Sequence, residues 1–380
     1  MSFFHNLFSR AIRVTIPAVI LLTASATVLA DGHPLLDRFD TVNLVASTVP
    51  ANGDINPYGV AVIPHSDGLL VRGNILVSNF NNAANQQGTG TTIVQVSPGG
   101  SVTLFAQIDA SSLGSRCPGG VGLTTALVVL KRGWVIVGSL PTTDGTSATA
   151  SAGCLIVLDS AGQVVETFMG GGINGPWDMT ALDNEDQALL FVTNVLNGDV
   201  TQGAPHIVNQ GTVLRLALAV PKSGTGSPTL VSTTEIGSGF AETADPNSLV
   251  IGPTGVGLGS DGTLYVADSV NSRIAAIQNA VARTTTANTG IDVSVGGALM
   301  DPLGLLVAPN GDVVTANGGD GNLVETTPQG AQVAVVTVET ATGAGSLFGI
   351  ALGNGERGLY FVDDGDNTLK VFTREKKSRH

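Results

Sequence analysis

Along most of the chain, short apolar runs alternate with clusters of Gly, Asn, Asp, Ser and Thr, a spacing that belongs to strands and tight turns rather than helices. Six times, a strand opening at or beside Gly is followed by a second, more continuously apolar strand that ends in a small polar residue. The openings fall at Gly59, Gly120, Asp178, Gly255, Gly304 and Gly349, and the second strands at 74–79, 134–139, 189–194, 263–268, 312–317 and 358–363. Near-continuous apolar runs are expected where a strand is covered on both faces. Third strands follow in every unit, and outer strands are readable at 102–108, 163–168, 229–235, 291–295 and 332–338. The sixth unit lacks an outer strand, whereas an orphan strand, 41–47, precedes the first unit.

Self-similar units of short strands and Gly-rich turns predict an all-β fold, a six-bladed β-propeller of four-stranded antiparallel blades. The orphan strand completes the last blade and closes the ring, so one domain spans 31–373, followed by a basic tail, 374–380.

Composition supports sheet: Gly is abundant at 50 residues, and charged residues are only 12% of the chain. Residues 1–30 read as an export signal, with Arg10 and Arg13 ahead of an apolar run and Val28-Leu-Ala30 as the cleavage site, cut after Ala30. That run is too short and broken for a spanning helix of about 20 residues, and no later segment spans. The expected product is an exported, periplasmic or secreted monomer. Removing the signal takes away two arginines and no acid, moving the net charge from −13 to −15. Such a balance disfavours nucleic acid as a partner. An oxidising compartment permits a Cys117–Cys154 disulfide. Strand starts two places apart lie about 9–10 Å from each other, however, so at least one cysteine must sit outside the ladder.

The loops between second and third strands share one face with the inter-blade connections, and they are long in the first three units: 80–91, 140–153 and 195–210. The connection 236–252 adds to them. Loops of this length are commonly functional. Residues preceding the strand openings, Tyr58, Gly119, Trp177, Thr254, Leu303 and Phe348, are expected to line the channel mouth on this face. Its aromatics suit a binding surface and also suit a packed plug. Asp178 replaces Gly beside Trp177 and should face inward, where a carboxylate needs a partner or a task.

Pro253-Thr-Gly255 followed by Leu264-Tyr-Val-Ala-Asp-Ser-Val-Asn-Ser-Arg-Ile274 resembles an NHL repeat, and the fifth and sixth units resemble it more loosely. The resemblance implies a six-bladed propeller, a frame shared by lyases, sensor domains and binding modules. A more distant similarity is to gluconolactonase-like propellers, which hold a divalent metal in the channel. It implies Asn194 and Asp268 as candidate ligands for calcium or another divalent cation, and the inward-facing carboxylate of Asp178 is a candidate beside them. Asn56-Pro57-Tyr58-Gly59 stands where that family's first acidic ligand belongs.

Two readings follow. One is a module that binds a protein, glycan or small molecule through the long-loop face, with Tyr58, Trp177, Thr254, Leu303 and Phe348 at its centre. The alternative is a channel-centred, metal-dependent hydrolase or a lyase, with Asp178 and His206 as catalytic candidates. The scarcity of His and the absence of a nucleophile elbow favour the first.

Overall fold

The structure, a computed structural model, describes residues 33–200, 206–340 and 346–375. The export segment with its cleavage point after Ala30 lies outside them, as does most of the basic tail. Among the described residues no helix is long and apolar enough to cross a membrane.

Six antiparallel sheets follow one another along the chain, each ordered from an innermost to an outermost strand. Their innermost strands are Ile55–Val62, Leu123–Val129, Gly175–Asp183, Pro253–Leu258, Pro302–Val307 and Leu347–Leu352. Each packs against the innermost strand of the next sheet, and the sixth against the first. This is the closed ring of a propeller. Second strands such as Ile75–Asn81 and Val313–Asn317 are buried throughout, because neighbouring blades cover both of their faces. The outermost strand Gln332–Thr337 alternates between half-buried and exposed positions, because only one of its faces meets protein.

The orphan strand behaves as the sequence predicts. Thr41–Ser47 pairs antiparallel with Thr368–Thr373, from Thr41 against Thr373 to Ser47 against Thr368, and becomes the outer strand of blade six. Ahead of it the chain is anchored as well. The Glu325 carboxylate accepts the backbone N–H groups of Leu35 and Leu36 at 2.7 and 2.8 Å. Both leucines are buried with Phe39, whose ring meets Phe372 edge-on at 5.5 Å.

Two departures from the sequence pattern matter. In blade two, the residue facing the terminal Ser139 is Leu123, so Thr124 and Thr125 hold the places expected for Gly119 and Gly120. The Pro118-Gly-Gly-Val-Gly122 run imitates a strand opening but belongs to the approach. Cys117 therefore lies ahead of the ladder, and its Cα stands 5.7 Å from that of Cys154, to which it is disulfide-bonded.

In blade three, the segment 236–252 is not a loop. The outer strand runs Thr229–Asp245 and turns back through Leu249–Ile251 as a fifth strand. Gly237 and Gly239 interrupt the strand pattern there, and Gly239 takes a left-handed φ of 82°.

Two outcomes are expected. Deleting residues 33–48 removes the closing strand and three buried anchors of about 1.5–3 kcal/mol each. The deletion should lower the melting temperature, and an unchanged melting curve would show that the ring closes without this strand. Reducing Cys117–Cys154, which spans 37 residues, should cost about 3–4 kcal/mol on the chain-entropy model. Denaturant titrations with and without reductant measure that difference.

Candidate functional site

Each innermost strand bends where its second strand ends. The ladder breaks after Pro57, Leu123, Pro176, Pro253, Pro302 and Leu347, the residues that face the terminal Asn, Ser or Asp of the second strand. Such breaks re-aim the next side chains, here at the neck of the channel. Three of those next residues are aromatic, and they fill it. Tyr58 stacks on Phe348 at 3.9 Å and on Phe80 at 4.4 Å between ring centroids, with Trp177 at 6.3 Å. The Trp177 indole donates to the Val250 carbonyl at 2.9 Å, and the Tyr58 hydroxyl to that of Asn247 at 3.2 Å. The extra hairpin of blade three thus lies over the aromatic cluster and caps it.

The residues expected to line an open mouth are accordingly core. Tyr58, Trp177, Thr254, Leu303 and Phe348 are all buried. The Thr254 hydroxyl ties blade four to blade five through the Pro302 carbonyl at 2.9 Å. Among these residues, aromatic content at the neck was legible from sequence, but its solvent exposure was not. Phe80 was missed because the sequence pattern ends this second strand at Asn79 and places Phe80 in the loop, whereas the strand runs on to Asn81.

The plug separates two recesses. On the long-loop side, a polar pocket of about 380 Å³ is lined by Asn56, Asn81, Asn85 and Gln87 of blade one, Pro246 and Asn247 of the hairpin, and Ser346, Asp364 and Asn367 of blade six. Asn56, Asn85 and Asn367 sit at left-handed φ of 63°, 59° and 59°, a conformation Asn tolerates, so turn chemistry explains their identity. It does not explain their oxygens. Among the described residues, Asn56 Oδ1, Asn81 Oδ1 and Gln87 Oε1 are buried without a donor. Two of these amides are oriented from their nitrogen ends, Gln87 by the Pro246 carbonyl at 2.6 Å and Asn81 by Asn85 Oδ1 at 2.7 Å. Burial, followed by Asp363 and Asp366, pushes the Asp364 carboxyl up to about 7.

On the other side, a cavity of about 400 Å³ begins one residue beyond the plug, at Thr125, Asp178 and Gly349. It runs to Pro64, Lys131, Asp183 and Val307 at the far ends of the innermost strands. Asp178 faces inward as the sequence predicts, but into this cavity, away from the long loops. Its Oδ1 accepts from Met179 N–H at 2.7 Å and its Oδ2 from Val256 N–H of the next blade at 3.1 Å. Burial outweighs both bonds and raises its pKa to about 8.

The other candidates lie apart from it in separate settings. Asn194 Oδ1 accepts from Asn174 N–H at 3.2 Å. Asp268 is ion-paired with Arg273 at 2.7 Å and accepts from the Asn271 amide. His206 is exposed. Among the described residues no group of three His, Cys, Asp or Glu side chains is arranged to hold a metal.

Residues 251–277 match the family model of the NHL repeat. The chain is a six-bladed β-propeller with an NHL repeat as its fourth blade. Among solved structures it is similar to a gluconolactonase from Xanthomonas campestris, at 14% identity over 89% of this chain and 91% of that one, with a TM-score of 0.54. It is also similar to the calcium-binding protein regucalcin from Agrobacterium tumefaciens, at 13% identity over 88% and 96%, with a TM-score of 0.51. These likenesses show the fold, not the chemistry. No curated protein matches the sequence.

A carboxyl that holds its proton more tightly in the folded state than the unfolded value of about 4 contributes stability at low pH and loses it as pH rises toward its folded pKa. Asp178→Asn keeps the size but sets an N–H₂ against one backbone donor, at a cost of about 1 kcal/mol. The variant's deficit relative to the native chain should therefore be largest below about pH 4, and should shrink and then reverse as the pH rises toward 8. Melting curves across that range check the sign.

Proposed function

We propose that this NHL-type propeller is an exported ligand-binding module that works through its long-loop face, and that its ligand is a polyhydroxylated small molecule or glycan. The observation that carries the reading is the surplus of acceptors in the polar pocket, where the oxygens of Asn56, Asn81 and Gln87 lack donors. A buried acceptor left unpaired costs about 1–3 kcal/mol, and a ligand rich in hydroxyl donors relieves that cost. The pocket draws on blade one, blade six and the blade-three hairpin, so it exists only in the closed ring. Its volume falls within the range of small-molecule sites. The disulfide is compatible with an oxidising compartment, which supports export.

The module reading is favoured over the metal-dependent hydrolase because Asp178, Asn194 and Asp268 each satisfy different partners, and Asp268 is already neutralised by Arg273. A divalent cation in the channel would have to draw them from those contacts.

A glycan array probed with the purified chain tests the proposal, followed by titration of the best glycan. Trp177 lies in the plug beneath the pocket, so its fluorescence should report binding. Asn81→Ala and Gln87→Ala should each weaken the interaction at least about tenfold, the effect of about 1.4 kcal/mol. Array signals at background, or affinities unchanged in both variants, would overturn the reading.

A further inference from the structure

The cavity beyond the plug is a second recess, opening on the opposite face and using none of the residues of the polar pocket. Its walls are the innermost strands, and most of the side chains along it are apolar, among them Val60, Leu127, Met179, Val256, Leu305 and Ile350. At its closed end stand two polar side chains that the fold does not fully employ. Asp178 is buried to nine-tenths and receives one backbone N–H on each oxygen, about half of what a carboxylate can accept. Thr125, in the equivalent position of the preceding blade, has a buried hydroxyl with no partner among the described residues.

What Asp178 lacks is a countercharge. No Lys, Arg or His influences it, and the other charged residues lining the cavity, Lys131 and Asp183, lie at its mouth and are tied through backbone groups, the Lys131 N–H donating to the Asp183 carboxylate and the Lys131 ammonium to the Asp183 carbonyl. A lone carboxyl in a low-dielectric dead end is stabilised by a cation small enough to reach it. Aliphatic side chains share the wall surface with polar groups and can take a short hydrocarbon body behind that cation, and the unpaired Thr125 hydroxyl offers a further acceptor to a group with several N–H donors.

From this geometry we infer that the channel binds a small primary amine with an apolar chain, its ammonium seated on Asp178 and Thr125 and its hydrocarbon lying along the innermost strands. The site is independent of the polar pocket and of any ligand held there. Binding couples to a proton. The free carboxyl is protonated at neutral pH, held so by burial, and the incoming ammonium requires it ionised, so the proton leaves to solvent. No covalent bond forms or breaks in the amine.

The test is calorimetric titration of the full chain with n-butylamine at pH 7, in buffers of different ionisation enthalpy. The expected result is saturable binding with about one proton released per amine, falling toward none at pH 9, where Asp178 is already ionised. n-Butanol, which has the same chain and no charge, should bind more weakly and release no proton. Asp178→Asn should weaken amine binding at least about tenfold. Pro64→Trp, a rim substitution distant from the carboxyl, should also weaken it by blocking entry, and keeps the proposal testable if the Asn variant folds poorly. Failure of n-butylamine to bind, binding without proton release at pH 7, or binding unaffected by both variants would each overturn the inference. Loss of binding in Asn81→Ala would place the amine in the polar pocket and overturn it equally.

Discussion

Everything about this ring depends on how closely its innermost strands approach at the neck. A Cβ on Gly304 would fall 2.2 Å from the Phe348 carbonyl oxygen, on Gly349 2.3 Å from that of Tyr58, and on Gly255 2.5 Å from the Leu305 nitrogen. None of these glycines needs a left-handed backbone, so their role is space alone. Backbone lies against backbone, and hydroxyls stitch the seams. Gly59 N–H donates to Ser78 Oγ, which donates to the Thr124 carbonyl of the next blade at 2.8 Å. Asp178 N–H, Thr193 Oγ1 and the Thr254 carbonyl repeat the relay between blades three and four. With the neck this narrow, three rings from the preceding positions suffice to stop it.

Stopping the neck divides one channel into two environments. On the long-loop side, amides and the Asp364 carboxyl crowd a recess in which several amide oxygens have no donor among the described residues. On the other side, a lone carboxyl sits among aliphatic side chains and retains its proton toward pH 8. The hairpin 243–251 strengthens the division. The Asn247 carbonyl at its turn and the Val250 carbonyl on its returning strand take the Tyr58 and Trp177 donors that would otherwise be buried unsatisfied, which fixes the rings in place.

The fold was legible because burial imposes the same pattern on every blade: continuous apolar second strands, terminal small polar residues, an orphan strand at one end and a missing one at the other. It was misread where glycine serves a different purpose. The Pro118-Gly-Gly-Val-Gly122 run resembles a neck opening, yet in blade two the neck is made by Thr124 and Thr125, so the eye is drawn five residues too early. Cys117 went with it, which is why strand spacing seemed to oppose a bridge that the approach segment allows. The hairpin of blade three was hidden likewise, its strand pattern cut by Gly237 and Gly239. The polar pocket had a visible cue in the Asn- and Gln-rich first loop, but its other walls come from blade six and the hairpin, and only ring closure assembles them.

The site was less legible than the fold for a reason rooted in the repeat itself. Its most recognisable residues are spent on structure. Asp268, Asn271 and Arg273, the signature of the NHL unit, bind one another, and Arg273 goes on to Asp292 and the Thr289 carbonyl, locking second strand, third strand and the outer edge together. Blade six builds the same lock with Lys370 against Asp363 and Glu339, and blade five a version without a cation, in which Asp320 accepts from the Asn317 and Asn322 amides. A motif whose carboxylates are already engaged by its own donors has little left for a ligand. The unspent chemistry lies where the chain departs from the pattern: Asp178 and Thr125 standing in for glycine, Asn81 at the extended end of a second strand, and Gln87 in the long loop after it. In a repeat protein, the family resemblance therefore reports the frame, and the exceptions to it report where function has room to reside.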